Sequence, residues 1–481
     1  MLHASRIVSL LVVLTIFLRI NSYSQLIEKA PPTPVTVNPV LADSLTESVT
    51  ISGIAISGNK KTRPYIIQRE IPFVKGEIVS SRDLKDKLSL CKQRLMNTAL
   101  FVDVDIKPRI IDSSHIAVGI VVKERWYLFP LPYFQIVTRN FNTWWVQENH
   151  SFQRVNYGLK FMQNNVTGRN DNLNVWIIGG YTQQMSVRYE NPSLDKKLKH
   201  GFNIGFGYSR NRELNYAIDF NRQSFYKNEN EFIIKNSRAD ISYTYRPAIK
   251  TRHTFRVSYH DMSVSDSVIL KNPRFFAAPV NRVKYADINY NLNYFNLDYN
   301  PYPLKGVAAD MNLYKRFGKT TNVWEVSGTG NYIVKVLPIS YLQLQAAGLI
   351  RLPFNQPYIS NSLMGSTNLY MRGLEYYVVE GSAGGVARAT LKNRVLSFNV
   401  RSPIKSRTHD KIPIRIFLKT YADVGYSYTP NVRNSMLNNK LLRTWGTGVD
   451  IVTFYDVVVK LEWSFNQLGE NGLFVHTQTD F

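Results

Sequence analysis

Two hydrophobic rhythms divide the chain. Over residues 48–124 helical and strand spacings are mixed, and from about residue 126 onward a period of two takes over. In the first stretch Val49, Ile51, Ile54 and Ile56 predict a strand that Gly58-Asn59 ends. Thr62–Glu70 predicts a short helix, with Thr62 as its N-cap and Pro64 in its first turn. Gly76 punctuates, and Ser80 or Ser81 then caps a second helix running to about Asn97. Leu84, Leu88, Cys91 and Leu95, spaced 4, 3 and 4 apart, stripe one face of it. Phe101–Pro108 alternates Val102, Val104 and Ile106 with Asp103, Asp105 and Lys107, and His115–Lys123 supplies a last strand. The predicted order is β-α-α-β-β.

Beyond residue 126 the helical signals vanish. Val155, Tyr157, Leu159 and Phe161 interleave with Arg154, Asn156, Gly158 and Lys160; Val457, Val459, Leu461, Trp463 and Phe465 interleave with Val458, Lys460, Glu462 and Ser464. Strands are predicted near 129–138, 153–166, 170–180, 183–190, 200–212, 236–246, 251–261, 283–295, 304–316, 322–335, 340–350, 384–401, 411–427, 442–453, 455–466 and 471–481. Residues 213–226 alternate as well and read as an extension of the fifth strand. No internal repeat points to a propeller or solenoid. Sixteen strands over this region leave about 22 residues per strand and connection, which suits a closed barrel crossing a bilayer. The predicted fold is mainly β: a 16-stranded antiparallel transmembrane β-barrel (126–481) preceded by one small β-α-α-β-β domain (48–125).

Composition sharpens this picture. Tyr (29) and Phe (25) are abundant, and after the N-terminus no apolar run reaches the length of a membrane-spanning helix. Arg6, the apolar run Ile7–Leu18 and the small residues Ser22 and Ser24 predict a secretory signal over 1–24, cut before Gln25. Residues 25–47, with Pro31, Pro32, Pro34 and Pro39, read as a linker. Cys91 is the only cysteine, so no intramolecular disulfide exists, and its place on the helical stripe makes it a small core residue. The formal charge of +24 is spread along the chain. Export argues against nucleic acid, and basic loops suit the phosphate-rich surface of an outer-membrane lipid leaflet or lipopolysaccharide. Catalytic and nucleotide-binding patterns are absent, the histidines do not cluster at metal spacings, and the Gly381–Gly385 region lacks the βαβ context of a phosphate loop. No enzyme, cofactor or metal is expected.

The N-terminal unit resembles a POTRA domain. The residues that carry the resemblance are Ile56-Ser57-Gly58-Asn59, Thr62, Ile67–Glu70, Gly76 and the run Leu95–Phe101, in which Leu100-Phe101 opens the second strand. A POTRA domain implies exposed strand edges that bind clients by strand addition.

The long non-alternating stretch Arg351–Gly381 is the most function-like segment of the barrel. Its Met371-Arg372-Gly373-Leu374 resembles the inward-folding sixth-loop tip of the BamA family. Gly384-Gly385, the strand end Asn399–Pro403 with Arg401, Tyr421-Ala422-Asp423-Val424-Gly425 and the terminal aromatic Phe481 follow in that family's order. Asn399 replaces the family's usual Glu, Met371 and Leu374 replace its Val and aromatic, and Thr477 and Thr479 weaken the terminal signal. Independently of the name, Tyr421 and Asp423 share the parity of Arg415 and Lys419, which puts them on the lumen face opposite Ile414, Ile416, Leu418 and Ala422. An arginine on an inward loop would pair with Asp423 in two-pronged fashion and stack on Tyr421.

The resemblance implies an outer-membrane protein, its POTRA domain in the periplasm, that inserts or translocates unfolded client proteins by strand addition at the POTRA domain and at the seam between its first and last barrel strands. Periplasmic or lipoprotein partners would dock on the POTRA domain. A two-partner-type secretion translocator and a plain pore or structural outer-membrane protein are the alternatives.

Overall fold

The computed structural model describes residues 47–136, 152, 155–191, 194–195, 199–365, 369–401, 411–432, 434–453 and 457–478. The signal (1–24), all but the end of the linker, Ser402-Pro403 and Phe481 lie outside the described residues, as do the side chains of Arg401 and Thr477.

The N-terminal unit comprises β1 (Ser48–Ser57), α1 (Pro64–Glu70), β2 (Ile78–Ser80), α2 (Ser81–Asn97), β3 (Phe101–Ile110) and β4 (His115–Glu124). A short strand thus separates the two helices, which corrects the expected order to β-α-β-α-β-β. It forms because Val49 and Thr50 of β1 offer a free edge to Val79 and Ile78. The sheet order is β2-β1-β4-β3, with β1 and β4 parallel. Ser80 caps α2, its side chain accepting from the Arg82 N–H at 3.3 Å. The stripe Leu84, Leu88, Cys91 and Leu95 is buried against Ile51, Ile67, Phe101 and Ile120. Burial pushes the Cys91 thiol up to about 12, so it stays protonated and inert. Thr62 does not cap α1: Arg63 holds that position without a side-chain bond. The Thr62 hydroxyl instead meets Tyr127 Oη at 3.1 Å and accepts from Asn165 Nδ2 at 3.0 Å, tying this unit to the barrel turn that follows Gln163.

The barrel strands are β5 (Leu128–Ile136), β6 (Val155–Gln163), β7 (Asn172–Gly180), β8 (Thr182–Asn191), β9 (His200–Asn211), β10 (Glu213–Asp219), β11 (Arg222–Lys227), β12 (Ile234–Ala248), β13 (Thr251–Val264), β14 (Arg282–Leu297), β15 (Gly306–Phe317), β16 (Val323–Leu337) and β17 (Ser340–Leu352). They continue with β18 (Ser362–Met364), β19 (Val379–Glu380), β20 (Ala383–Arg401), β21 (Lys411–Tyr428), β22 (Leu441–Val452), β23 (Val458–Asn466) and β24 (Asn471–Gln478). Sixteen of them form one antiparallel sheet in chain order from β5 to β24, skipping only β10, β11, β18 and β19. Among the described residues its two end strands, β5 and β24, share no ladder. Pro130 and Pro132 remove two N–H donors from β5.

The two-residue alternation sorts the side chains. Ile204, Phe206, Ile241, Tyr243, Phe255 and Val257 are exposed on the outer face, while Asp240, Ser242 and Ser258 are buried inside. Two expectations need correction. Residues 213–227 do not lengthen the fifth strand but pair with each other as the hairpin β10–β11. Phe220 and Asn221 both hold positive φ (47° and 60°), the geometry of a two-residue turn that folds the chain back on itself. The region is also not free of helix, since α3 (Asp266–Lys271) packs Val268 against Phe275 and Phe276 beside that hairpin.

Candidate functional site

The segment between β17 and β20 is a loop with its own scaffold. A 3-10 turn at Tyr358–Ser360 and the two-stranded neck β18–β19 hold its base, so the stretch expected to be structureless is locally ordered. Arg351 fixes the neck, donating from Nη1 to the Ser360 and Ser362 carbonyls at 2.7 and 2.9 Å and from Nε to Glu325 at 2.8 Å. From this base the chain enters the lumen. Leu363, Met364, Leu369, Met371, Leu374, Tyr377 and Val379 form one apolar cluster with Leu349, Val386, Leu437 and Leu442 of the wall. That cluster supplies the apolar burial that holds the loop inside.

Arg372 lies at the tip, 6% exposed, against Asp423, 1% exposed. Its Nε donates to Asp423 Oδ2 at 2.9 Å, its Nη2 to Oδ1, and its backbone N–H to Oδ2 at 3.2 Å. Nη1 donates to Thr390 Oγ1 at 3.0 Å. The guanidinium carbon stands 3.9 Å from the centre of the Tyr421 ring, and the Tyr421 hydroxyl meets Ser464 Oγ at 2.7 Å. A buried carboxylate thus receives three donors, and the cation is also covered by an aromatic face.

Glycines make the space for this. Gly373 takes φ +86°, a Cβ there would stand 3.1 Å from Ser464 Cβ, and its carbonyl accepts from Asn466 Nδ2 at 2.9 Å. A Cβ at Gly384 would lie 2.6 Å from Leu363 Cδ2, one at Gly425 2.5 Å from Met371 Sδ, and one at Gly446 2.5 Å from Tyr421 Oη. Gly385 sits beneath the Ala347 carbonyl, 2.8 Å from where a Cβ would be.

A second network lies deeper. Lys419 Nζ is 2.5 Å from both Asp450 Oδ1 and Glu462 Oε1. The turn between β14 and β15 folds up into the lumen. Asp298 Oδ1 accepts from the N–H groups of Tyr299, Leu304 and Lys305, and Tyr302 Oη donates to Asp450 at 2.8 Å. The Tyr302 ring packs on Phe417 at 4.8 Å under Lys392 Nζ at 4.2 Å. His476 on β24 reaches Glu375 at 3.5 Å and Glu462 at 3.3 Å, linking the last strand to the loop. The ligand atoms of Glu375, Glu462 and His476 lie within 4.8 Å of one another, but Lys419 Nζ already supplies the cation at Glu462.

Among the expected positions, the structure brings Met371, Arg372, Gly373, Leu374, Gly384, Tyr421 and Asp423 together. The POTRA-like residues form a separate set. Gly58 (φ +86°) packs against the Val122 carbonyl, Asn59 Nδ2 donates to Thr62 O at 3.0 Å, and Gly76 (φ +88°) donates to Ile51 O at 2.8 Å. Leu100 and Phe101 are core residues, and the Leu100 carbonyl accepts from Tyr127 Oη at 3.0 Å. Sequence reasoning missed Thr390, Ser464, Asn466 and Gly446. Lumen parity was the one available signal for them, and many other polar or small residues share it.

Comparison with known proteins agrees with this layout. Residues 49–125 match the family model described as POTRA, surface antigen variable number repeat. The outer membrane protein assembly factor BamA of Neorickettsia risticii is 24% identical over 221 residues, a match covering 44% of this chain and 25% of that protein. The chain therefore spans about a quarter of that relative's length. Among solved structures, BamA from Haemophilus ducreyi lacking POTRA domains 1–3 is similar over 89% of this chain and 84% of that one, with a TM-score of 0.50 and 14% identity. CdiB from Escherichia coli is similar over 89% and 75%, with a TM-score of 0.50 and 10% identity.

Proposed function

We propose that this chain, a member of the BamA-like superfamily of POTRA-and-barrel proteins, works in the outer membrane, where it assists insertion or translocation of other proteins without nucleotide or metal. The observation that carries the reading is Arg372, held in the lumen against Asp423 and Tyr421 while the end strands β5 and β24 share no ladder among the described residues. Unpaired backbone amides in hydrocarbon each cost several kcal/mol, on the order given by transfer data, so a client strand pairing at such a seam lowers its own insertion barrier. Pro130 and Pro132 weaken β5 as a partner for β24 and favour exchange.

The POTRA domain, in the periplasm, would present the client first. Its sheet order leaves one side of β3 free, with Asp103, Asp105 and Lys107 exposed along it, and accessory periplasmic or lipoprotein partners would use the same edge. Arg372 and Asp423 position the loop and do no chemistry. The basic surface loops would meet outer-membrane lipid or lipopolysaccharide.

The test is reconstitution of the chain from Gln25 in liposomes, following the folding of an unfolded model barrel, with Arg372→Ala alongside. Acceleration by the wild type and its loss in the variant are expected. A second pair, Phe134→Cys with Val475→Cys, places thiols on the outer faces of β5 and β24, and oxidative closure is expected to abolish acceleration. Ion conductance without acceleration would overturn the insertase reading. A translocator or simple pore would then remain, a reading favoured by the open cavity of about 600 Å³ in the half of the lumen that the loop does not fill.

A further inference from the structure

Opposite the inserted loop the lumen wall is of a different kind. A cavity of about 600 Å³ is lined by the side-chain amides of Asn172, Asn203, Asn289, Asn291, Asn293 and Asn312, with Thr244 and Thr254 between them. At its lower end it shares Thr98, Asn170 and Arg252 with a second space of about 620 Å³ between the POTRA helices and the barrel mouth. The two spaces adjoin there, one on the periplasmic side and one in the lumen, with Arg252 at the junction.

The charges around these two spaces do not balance. Arg252 has no hydrogen bond or ion pair among the described residues, and its Nε is buried without a partner. Arg256, two positions further along the same face, has an equally orphaned Nε and stands 3.8 Å from an Asp240 that Arg188 already grips at 2.9 Å. Below the junction Arg246 and Arg69 both lean on one carboxylate, Glu70, at 3.7 and 3.9 Å. Burial, then the neighbouring Arg246 and Arg252, bring Arg69 down to about 10, as expected where cations are crowded. Glu190 also lines the cavity and is paired with Arg188 Nε at 3.8 Å.

The amides are only half used. Asn289 donates to Asn312 at 2.7 Å, Asn291 to Asp310 at 2.8 Å and Asn203 to Ser242 at 2.9 Å, so further donors and acceptors face the space. Side-chain amides and hydroxyls, which both give and take hydrogen bonds, match sugar hydroxyls. Guanidinium groups match a carboxylate or phosphate in two-pronged fashion. The lumen cavity itself offers no apolar floor on which a hydrophobic side chain of a polypeptide would rest, in contrast to the lower space with Ile66, Leu90 and Phe295.

We propose that this lumen cavity is a binding site for a short anionic saccharide, a sugar bearing a phosphate or carboxylate, entered from the periplasmic side, with Arg252 and Arg256 holding the acidic group and the asparagine wall holding the hydroxyls. The acidic sugar reaches it either free or as the headgroup of a lipid. This site is independent of client handling at the seam.

The experiment is isothermal titration of the full chain in detergent micelles with trehalose 6-phosphate, trehalose, inorganic phosphate and penta-aspartate as separate probes. Trehalose 6-phosphate is expected to bind saturably at one site, at least about tenfold tighter than trehalose or phosphate alone. Arg252→Gln and Arg256→Gln are each expected to weaken it by about tenfold, and added salt to weaken it further. Retained heat-modifiable gel mobility reports that each variant barrel is folded. Vesicles of lipid with a phosphorylated-sugar headgroup, used as competitor, distinguish the lipid-borne source from the free sugar. Penta-aspartate binding as tightly as the phosphosugar would overturn the saccharide in favour of an acidic peptide. Binding unchanged by Arg252→Gln, or no saturable binding by any probe, would overturn the site.

Discussion

The two walls of one lumen follow opposite rules. Along β20–β23 the buried carboxylates are matched by cations: Asp423 by Arg372, and Asp450 and Glu462 by Lys419 at 2.5 Å. Along β8, β12 and β13 three arginines, Arg188, Arg238 and Arg256, crowd around the carboxylate of Asp240 at 2.9, 3.3 and 3.8 Å. Both walls obey the same two-residue alternation. What differs is that a loop and a turn have entered beside the first and pair with its charges, while Asp240 on the second meets only arginines of the wall itself; each wall still faces a cavity, of about 560 and 600 Å³. The same residue types are therefore tied to inserted segments on one wall and left to one another on the other.

Four substitutions would sharpen or break this contrast. Arg372→Ala should have the largest effect, because it leaves Asp423 buried without its cation; loss of one partner of a buried pair costs about 3–5 kcal/mol. Urea unfolding in lipid vesicles reads the loss, and limited proteolysis should newly cut near Tyr376. Tyr302→Ala comes next, removing a fully packed ring from Phe417 and a donor from Asp450, at about 3 kcal/mol or more. It should also raise single-channel conductance by opening the periplasmic mouth. Gly373→Ala should cost about 1–2 kcal/mol, from the positive φ and the contact with Ser464, and should loosen the loop tip without unfolding the barrel. Arg188→Gln on the open wall should stay below about 1 kcal/mol, since Arg238 and Arg256 remain beside Asp240. If Arg188→Gln proved as damaging as Arg372→Ala, the distinction between the walls would fail.

The barrel and its strand count were legible because alternation is local: one residue's neighbours reveal whether it faces in or out. The faces occupied by Tyr421 and Asp423 followed from parity alone. Which lumen residues would meet Arg372 and Tyr421 did not, because Thr390 and Ser464 sit 18 and 43 positions from the residues they help to hold, on strands whose parity marks many other small polar side chains. The hairpin β10–β11 was misread as one long strand because Phe220-Asn221 carries no glycine to announce a turn that nonetheless needs two positive φ angles. The short strand β2 escaped because three residues cannot show a period. Thr62 looked like a helix cap because cap preference is a local rule, whereas its actual partners, Tyr127 and Asn165, lie beyond the domain.

The tip of that hairpin carries a consequence for how the molecule is made. Asn221 donates to the Val378 carbonyl and to Asn438 Oδ1, and it accepts from the N–H groups of Met436 and Leu437, so one side chain joins residues 157 and 217 positions away. Contacts of such separation carry a large closure entropy and form late. The hairpin is therefore a checkpoint in time: it reaches its seat only after the loop carrying Val378 and the connection before β22 are both in place. Until then the rim of a newly made barrel at this end stays unlatched.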